Sequence, residues 1–171
     1  MKKLVYWLDA PTKGRIGTMP RPRGNEWLET EMQAFQKEGV NAILSLLTYP
    51  EQVELGLTHE ADLCQKYGID YLSFPIKDFH VPESKIDTGN FVRELAALLD
   101  DGKHLAIHCR AGIGRSSLIA ASTLTTYGMS ADDAFAMISE RRGVNVPDTQ
   151  EQREWVDAFA QVYDTQVSRN L

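Results

Sequence analysis

The run Val40–Leu47 is apolar at every position except Asn41 and Ser45. A strand of that kind must be covered on both faces, which a mainly parallel sheet with helices on either side provides. The flanking sequence supplies the covers. Asn25 is placed to cap a helix to about Glu38, with Trp27, Leu28, Met32 and Phe35 sharing a face and Gly39 as its stop. Pro50 to Tyr67 reads as helical with a break near Gly56, and Gly68 ends it. Ile69–Ile76 and Lys103–Ile107 read as strands, as does Lys3–Leu8 at the start, with Asp9 to Gly24 as a loop between elements. Ser84 caps a helix to about Asp101 with Phe91, Leu95, Leu98 and Leu99 at helical spacing, and a further helix runs from Arg115 to Tyr127. Ser130 with Asp133, and Asp148 with Glu151, have capping-box spacing and open the last two helices, to Gly143 and about Tyr163. Strands alternating with helices give the expectation of an α/β fold: one domain over residues 1–171, a central, mostly parallel sheet, and a helical C-terminal half.

Composition narrows what such a domain handles. The 171 residues carry 18 Lys and Arg against 24 Asp and Glu, a formal charge of −6, which argues against nucleic-acid binding. The apolar stretch after Lys3 stops at Asp9, too short for a secretory signal, and no run is long enough to cross a bilayer. A cytoplasmic protein, monomeric and without a membrane partner, is the expectation. The two cysteines, Cys64 and Cys109, make no disulfide framework. Four histidines (His59, His80, His104 and His108) show no paired ligand spacing, so neither a metal nor any other cofactor is expected.

The chemistry is concentrated in His108-Cys109-Arg110-Ala111-Gly112-Ile113-Gly114-Arg115-Ser116, which leaves the last predicted strand and enters a helix. Such a turn points successive backbone N–H groups inward and adds the partial positive charge of a helix N-terminus, an arrangement sized for phosphate. Gly112 and Gly114 permit the backbone angles and close approach it needs. Arg115, in the first helical turn, presents a planar fork for two phosphate oxygens. Cys109 in this setting is favoured as thiolate and placed for in-line attack on phosphorus. Ser116 can donate a hydrogen bond to the sulfur, and His108 orients the cysteine through backbone contacts. His-Cys-x-x-Gly-x-x-Arg arises by chance on the order of 10⁻⁴ times in a chain of this length and composition. Cys109 as an inert buried filler is therefore the weaker reading.

HCRAGIGRS resembles the His-Cys-x5-Arg-Ser/Thr signature of the cysteine-dependent protein phosphatases, in their small dual-specificity branch. It looks closest to the atypical enzymes and the cyclin-dependent-kinase-associated phosphatase, over roughly residues 40–160. The resemblance implies a dual-specificity-phosphatase-like fold, no metal and a cysteinyl-phosphate intermediate. It implies phosphate binding by Arg110, Ala111, Gly112, Ile113, Gly114 and Arg115, with His108 in support. Asp78 matches the general acid, both by its loop position in Phe74-Pro-Ile-Lys-Asp-Phe-His-Val-Pro82 and by standing 31 residues before Cys109. Asp62, Asp70 and Asp87 are rivals of lower rank, reading as helix surface, strand start and first-turn charge. In Val146-Pro-Asp-Thr-Gln-Glu-Gln152 the resemblance favours Gln152 as the residue that positions water, with Gln150 as runner-up and Thr149 as loop support.

The expected activity is hydrolysis of phosphomonoesters, on phosphotyrosine and phosphoserine or phosphothreonine. The alternatives are a lipid or small-molecule phosphate, or a binding module without turnover. Some lipid-phosphate relatives carry a second basic residue where this chain has Ile113, and a dead relative is expected to lack Cys109, Arg115 or Asp78. Arg21 and Arg23 are candidates for steering an acidic substrate, although an exposed extended loop explains them as well. Cys64 is expected to pack in a helix; a protective disulfide to Cys109 is the less favoured reading.

Overall fold

The computed structural model describes residues 2–169. Its five strands are β1 (Tyr6–Trp7), β2 (Ile16–Met19), β3 (Ala42–Ser45), β4 (Asp70–Ser73) and β5 (Leu105–His108), hydrogen-bonded in the order β1-β2-β5-β3-β4. All neighbours are parallel except β1 and β2. Ala42 and Ile16 both stand beside Leu105, so β3 and β2 enclose β5 and carry it through the centre of the sheet.

Side chains alternate across that sheet, and the alternation sorts the molecule into two cores. Ala42, Leu44, Leu105, Ile107 and Cys109 face one core, closed by α4 (Lys85–Asp100), α5 (Arg115–Thr125), α6 (Ala131–Arg142) and α7 (Gln150–Arg169). Ile43, Leu47 and Ala106 face the other, closed by α1 (Leu28–Glu38) and α3 (Glu60–Lys66). Between β3 and α3 lies the short α2 (Tyr49–Glu54), held by a capping box of Thr48 and Glu51. α5 is buried along its whole length and forms the spine of the larger core. Cys64 belongs to the smaller core, with Met32 Sδ at 3.6 Å, and Cys109 to the larger. A disulfide between them would have to cross the sheet.

Several expectations are corrected. The Asp9–Gly24 loop contains β2, fully buried beside β5. The first strand is confined to Tyr6–Trp7 and the fourth to Asp70–Ser73; beyond them Leu8 N–H donates to Ile16 O at 2.9 Å and Phe74 N–H to Ser45 O at 3.0 Å without extending the ladder. Asn25 does not cap α1. Its N–H donates to Gly56 O at 2.9 Å and its φ is 53°, so it turns the chain into a 3₁₀ turn, Asn25–Trp27, ahead of α1. Trp27 is half exposed rather than on the buried face, with the Arg23 guanidinium 4.7 Å from its ring centroid. The last helix is capped by Thr149 and Gln152, not by Asp148 and Glu151. Thr149 Oγ1 accepts from the Gln152 N–H at 3.1 Å while Gln152 Oε1 accepts from the Thr149 and Asp148 N–H groups at 3.2 and 3.1 Å.

Candidate active site

The loop from His108 to Arg115 joins the end of β5 to the start of α5 at the carboxyl edge of the parallel strands, where open α/β sheets present ligand sites. Its shape is set by what grips it from outside. The Arg110 carbonyl accepts from Arg21 N at 3.1 Å, the Ala111 carbonyl from Arg142 Nη2 at 3.0 Å, and the Gly112 carbonyl from Arg142 Nε at 3.0 Å. In a trans peptide the N–H points opposite to the carbonyl it is bonded to. Three consecutive carbonyls held outward therefore turn the N–H groups of Ala111, Gly112 and Ile113 inward, which is an anion nest. Gly112 has φ of 73°, and a Cβ there would lie 2.6 Å from the Met19 carbonyl. Gly114 is pressed against the Asp148 carboxylate and leaves no room for a side chain. At the end of the loop α5 begins on Gly114, with no side-chain cap on its first N–H groups.

Cys109 is buried on the loop, its Sγ 3.5 Å from Ser116 Oγ. Arg115 is 1% exposed and is fixed by Glu51, which accepts from Nη1 at 2.7 Å and Nη2 at 2.9 Å, and by the Ile76 carbonyl at 2.8 Å. Nη2 also reaches Asp78 Oδ1 at 3.0 Å. The remaining donor, Nε, is buried without a hydrogen-bond partner among the described residues. Such an atom carries a desolvation penalty that an anion in the loop would relieve. Asp78 is anchored further by Phe79 N, at 3.0 Å from Oδ1, with Phe79 held at φ 62°. Arg110 bridges the rim to Glu54 at 3.0 Å, to Glu51 at 3.6 Å and to Asp78 at 4.0 Å.

The structure thus brings Cys109, Arg110, Arg115, Ser116 and Asp78 to one place. Gln152 is fully buried behind the loop, with its Nε2 donating to His80 O at 3.2 Å. Gln150 is exposed and leans on Glu154. Asp62 is on the surface of α3, Asp70 opens β4 and Asp87 lies in the first turn of α4, as the sequence suggested. Arg21 bonds the carbonyl of Pro22, and Arg23 pairs with Glu31 at 2.6 Å, so both side chains already have protein partners.

Three residues of the site went unread in the sequence, Glu51, Glu60 and Arg142, and Asp148 was read only as a helix cap. Glu60 meets His108, Nε2 to Oε1 at 2.7 Å. Asp148 is pushed up from the usual carboxylate range by partial burial and by the nearby Asp78 charge, with Arg115 opposing. Burial also works to raise the Glu51 carboxyl, but the Arg115 and Thr48 hydrogen bonds outweigh it and bring it down to about 2. A carboxyl depressed by folding stabilises the fold above its unfolded value, near 4.5, and loses that contribution as pH falls through about 2. We expect Glu51→Gln to melt below the native chain at pH 7 and to show a flatter Tm between pH 4.5 and pH 2, a contrast that thermal scans by circular dichroism will read.

A strand-to-helix anion nest with a buried thiol on it and a buried guanidinium beside it defines the cysteine-phosphatase type of site. The family model described as "Tc-R-P: Polymorphic toxin system, DSP-PTPase phosphatase" matches residues 17–129, and the chain belongs to this family as a small atypical dual-specificity phosphatase. Protein tyrosine phosphatase PRL-1 of Leishmania major is 29% identical over 141 residues, covering 77% of this chain and 74% of that protein. Protein tyrosine phosphatase domain-containing protein 1 of Danio rerio is 32% identical over 128 residues, 74% of this chain but 17% of that much longer protein. Among solved structures, kinase-associated phosphatase with its catalytic-site cysteine changed to serine superposes with a TM-score of 0.85 over 96% of this chain and 98% of its own, at 21% identity. That likeness bears on the fold. Among the described residues no helix is long and apolar enough to cross a membrane.

Proposed function

We propose that residues 2–169 form one catalytic domain that hydrolyses phosphomonoesters on protein side chains, tyrosine and serine or threonine alike, through Cys109. The observation that carries this reading is the convergence on one nest of three inward N–H groups, the Cys109 thiol and the partnerless Arg115 Nε. Phosphate oxygens take the N–H groups of residues 111–113 and Arg115 Nε, which places phosphorus in front of the sulfur. The Cys109 thiolate attacks phosphorus as the P–O ester bond breaks, and Asp78 gives its proton to the departing oxygen. Water then attacks the cysteinyl phosphate, Asp78 takes its proton, and the S–P bond breaks to return the thiolate, which Ser116 steadies by donating a hydrogen bond. Gln152 uses three of the four hydrogen-bonding positions of its amide, and the remaining N–H is available to hold that water.

The breadth of substrate follows from a low rim. Asp78 and Arg110 side chains are 32% and 40% exposed, and a rim so partly exposed supports a site that sets little demand on the depth of the phosphorylated residue.

Asp78→Asn tests the acid. We expect kcat to fall about 10²- to 10⁴-fold on a phosphoserine peptide, whose alkoxide needs a proton, and much less on an aryl phosphate with an acidic phenol. An equal loss on both would remove Asp78 from the proton-transfer step. Loss in KM alone would assign it to binding.

A further inference from the structure

A second carboxylate stands beside the loop, and neither the fold nor the proton transfers of Asp78 use it. Asp148 Oδ2 occupies the space that a Cβ on Gly114 would need, and Gln152 Nε2 lies 3.2 Å from the same point. The φ of Gly114 is −88°, which any residue adopts, so the carboxylate and not the backbone confines this position to glycine. The Asp148 side chain makes neither a hydrogen bond nor an ion pair among the described residues, while its N–H donates to Gln152 Oε1 at 3.1 Å. Asp78, by contrast, has Oδ1 engaged by Arg115 Nη2 and by the Phe79 N–H, each at 3.0 Å, and turns Oδ2 toward Arg110 Nε at 4.0 Å. Gln152 ties the two carboxylates to one place. Its Nε2 donates to His80 O at 3.2 Å, and His80 Nδ1 lies 2.7 Å from the Asp78 carbonyl oxygen.

Water has two hydrogens and two lone pairs. In attack on the cysteinyl phosphate one lone pair goes to phosphorus and the other is held by the remaining N–H of Gln152. One hydrogen goes to Asp78, which leaves the second without an acceptor. We propose that Asp148 is a further catalytic residue of the hydrolytic step, accepting the second hydrogen of the attacking water and so fixing its lone pair on phosphorus. This rests on the reading of Cys109 as the residue that carries the phosphoryl group. As the O–P bond forms, the S–P bond breaks and leaves its electron pair on sulfur. The proton facing Asp78 passes to that carboxylate, and the hydrogen facing Asp148 stays on the phosphate released.

The electrostatics of the site favour this division of labour. Partial burial and the Asp78 charge push the Asp148 carboxyl up, with Arg115 opposing. Once Asp78 has given its proton to the leaving group, two carboxylates face one water, and their repulsion is relieved as Asp78 takes a proton back. An alcohol that replaces water in this step differs in one respect. Its single O–H goes to Asp78, and an alkyl group stands where the second hydrogen was, so Asp148 has nothing to hold.

The experiment sets water against methanol. The chain turns over an aryl phosphate in aqueous methanol, inorganic phosphate and methyl phosphate are counted, and acid quenching follows the decay of the cysteinyl phosphate. In Asp148→Asn, hydrolysis of that intermediate is expected to slow about tenfold, the difference between a charged and a neutral acceptor. Methanolysis is expected to keep its native rate, so the ratio of methyl phosphate to phosphate rises by the same factor. The initial burst of phenol, which reports formation of the cysteinyl phosphate, should be unchanged; a distorted loop would slow burst and decay together and leave the product ratio as it was. Gly114→Ala displaces the carboxylate with its charge intact and is expected to raise the ratio as well. A folded Asp148→Asn chain whose intermediate decays at the native rate, or with the native product ratio, overturns the proposal. A native chain that yields no phosphorylated Cys109 on quenching overturns the reading on which it rests, and the proposal with it.

Discussion

Cys109→Ser is expected to abolish hydrolysis of an aryl phosphate, by about 10⁴-fold or more, while the chain stays folded and still binds the product anion. The two side chains differ by one atom, and the nest proposed to hold phosphate is made of backbone N–H groups and Arg115, none of which the substitution touches. What is lost is the sulfur nucleophile: a serine hydroxyl beside Ser116 is a far weaker acid and a far weaker nucleophile than a thiol. Turnover is measured in excess chelator for both chains, with inorganic phosphate binding read by calorimetry. Native turnover is expected to persist under chelation. A serine variant that hydrolyses at a measurable fraction of the native rate would require another nucleophile, and Cys64, sealed in the opposite core, does not reach the loop.

The sequence made this loop legible because its parts are contiguous. A strand, a thiol, two glycines, an arginine and a helix occupy His108 to Ser116, and local backbone physics turns that order into a nest. The central strands were legible for a related reason: Val40–Leu47 is apolar on both faces, and β3 is buried on both. Harder to read was anything fixed by a partner far along the chain. β2 is four residues containing Gly17 and Thr18 and followed by Pro20, with no apolar periodicity; it becomes a strand because β5 pairs with it. Glu51, Glu60 and Arg142 are charged residues on helices, and charged helix residues usually face water. Each is drawn inward by a partner on the loop: Arg115, His108, and the carbonyls of Ala111 and Gly112. Only Glu51 left a signal, since Thr48-x-x-Glu51 has capping-box spacing and marks the start of α2. The cap of α7 was misread for a similar reason. Asp148 and Glu151 have the right spacing, but so do Thr149 and Gln152, and the second pair brings Gln152 into the buried space beside the loop.

Arg115→Lys is the second large effect, and it separates charge from geometry. Lysine keeps the positive charge but presents a single ammonium where the guanidinium has a rigid fork. In the native chain that fork engages Glu51 at both oxygens, the Ile76 carbonyl and Asp78, and still leaves Nε for phosphate. An ammonium cannot hold Glu51 and a phosphate oxygen in those directions together, so stabilisation of the charge developing on phosphorus is lost. Removing one preorganised donor of this kind lowers kcat about 10²- to 10³-fold, and Arg115 Nε is such a donor, so kcat/KM is expected to fall by about that much. Arg115→Ala goes further. It strands the Glu51 carboxylate in a buried position, a change of about 3–5 kcal/mol in stability, or a fall in Tm of about 10 °C for a chain of this size. The double variant Arg115→Ala/Glu51→Gln should recover part of that Tm, because the stranded charge is gone, but none of the activity. Recovery of both would mean that Arg115 serves the fold alone. Stability regained without turnover would assign it two separable duties: Nη1 and Nη2 brace α2 against the loop, and Nε takes the phosphate.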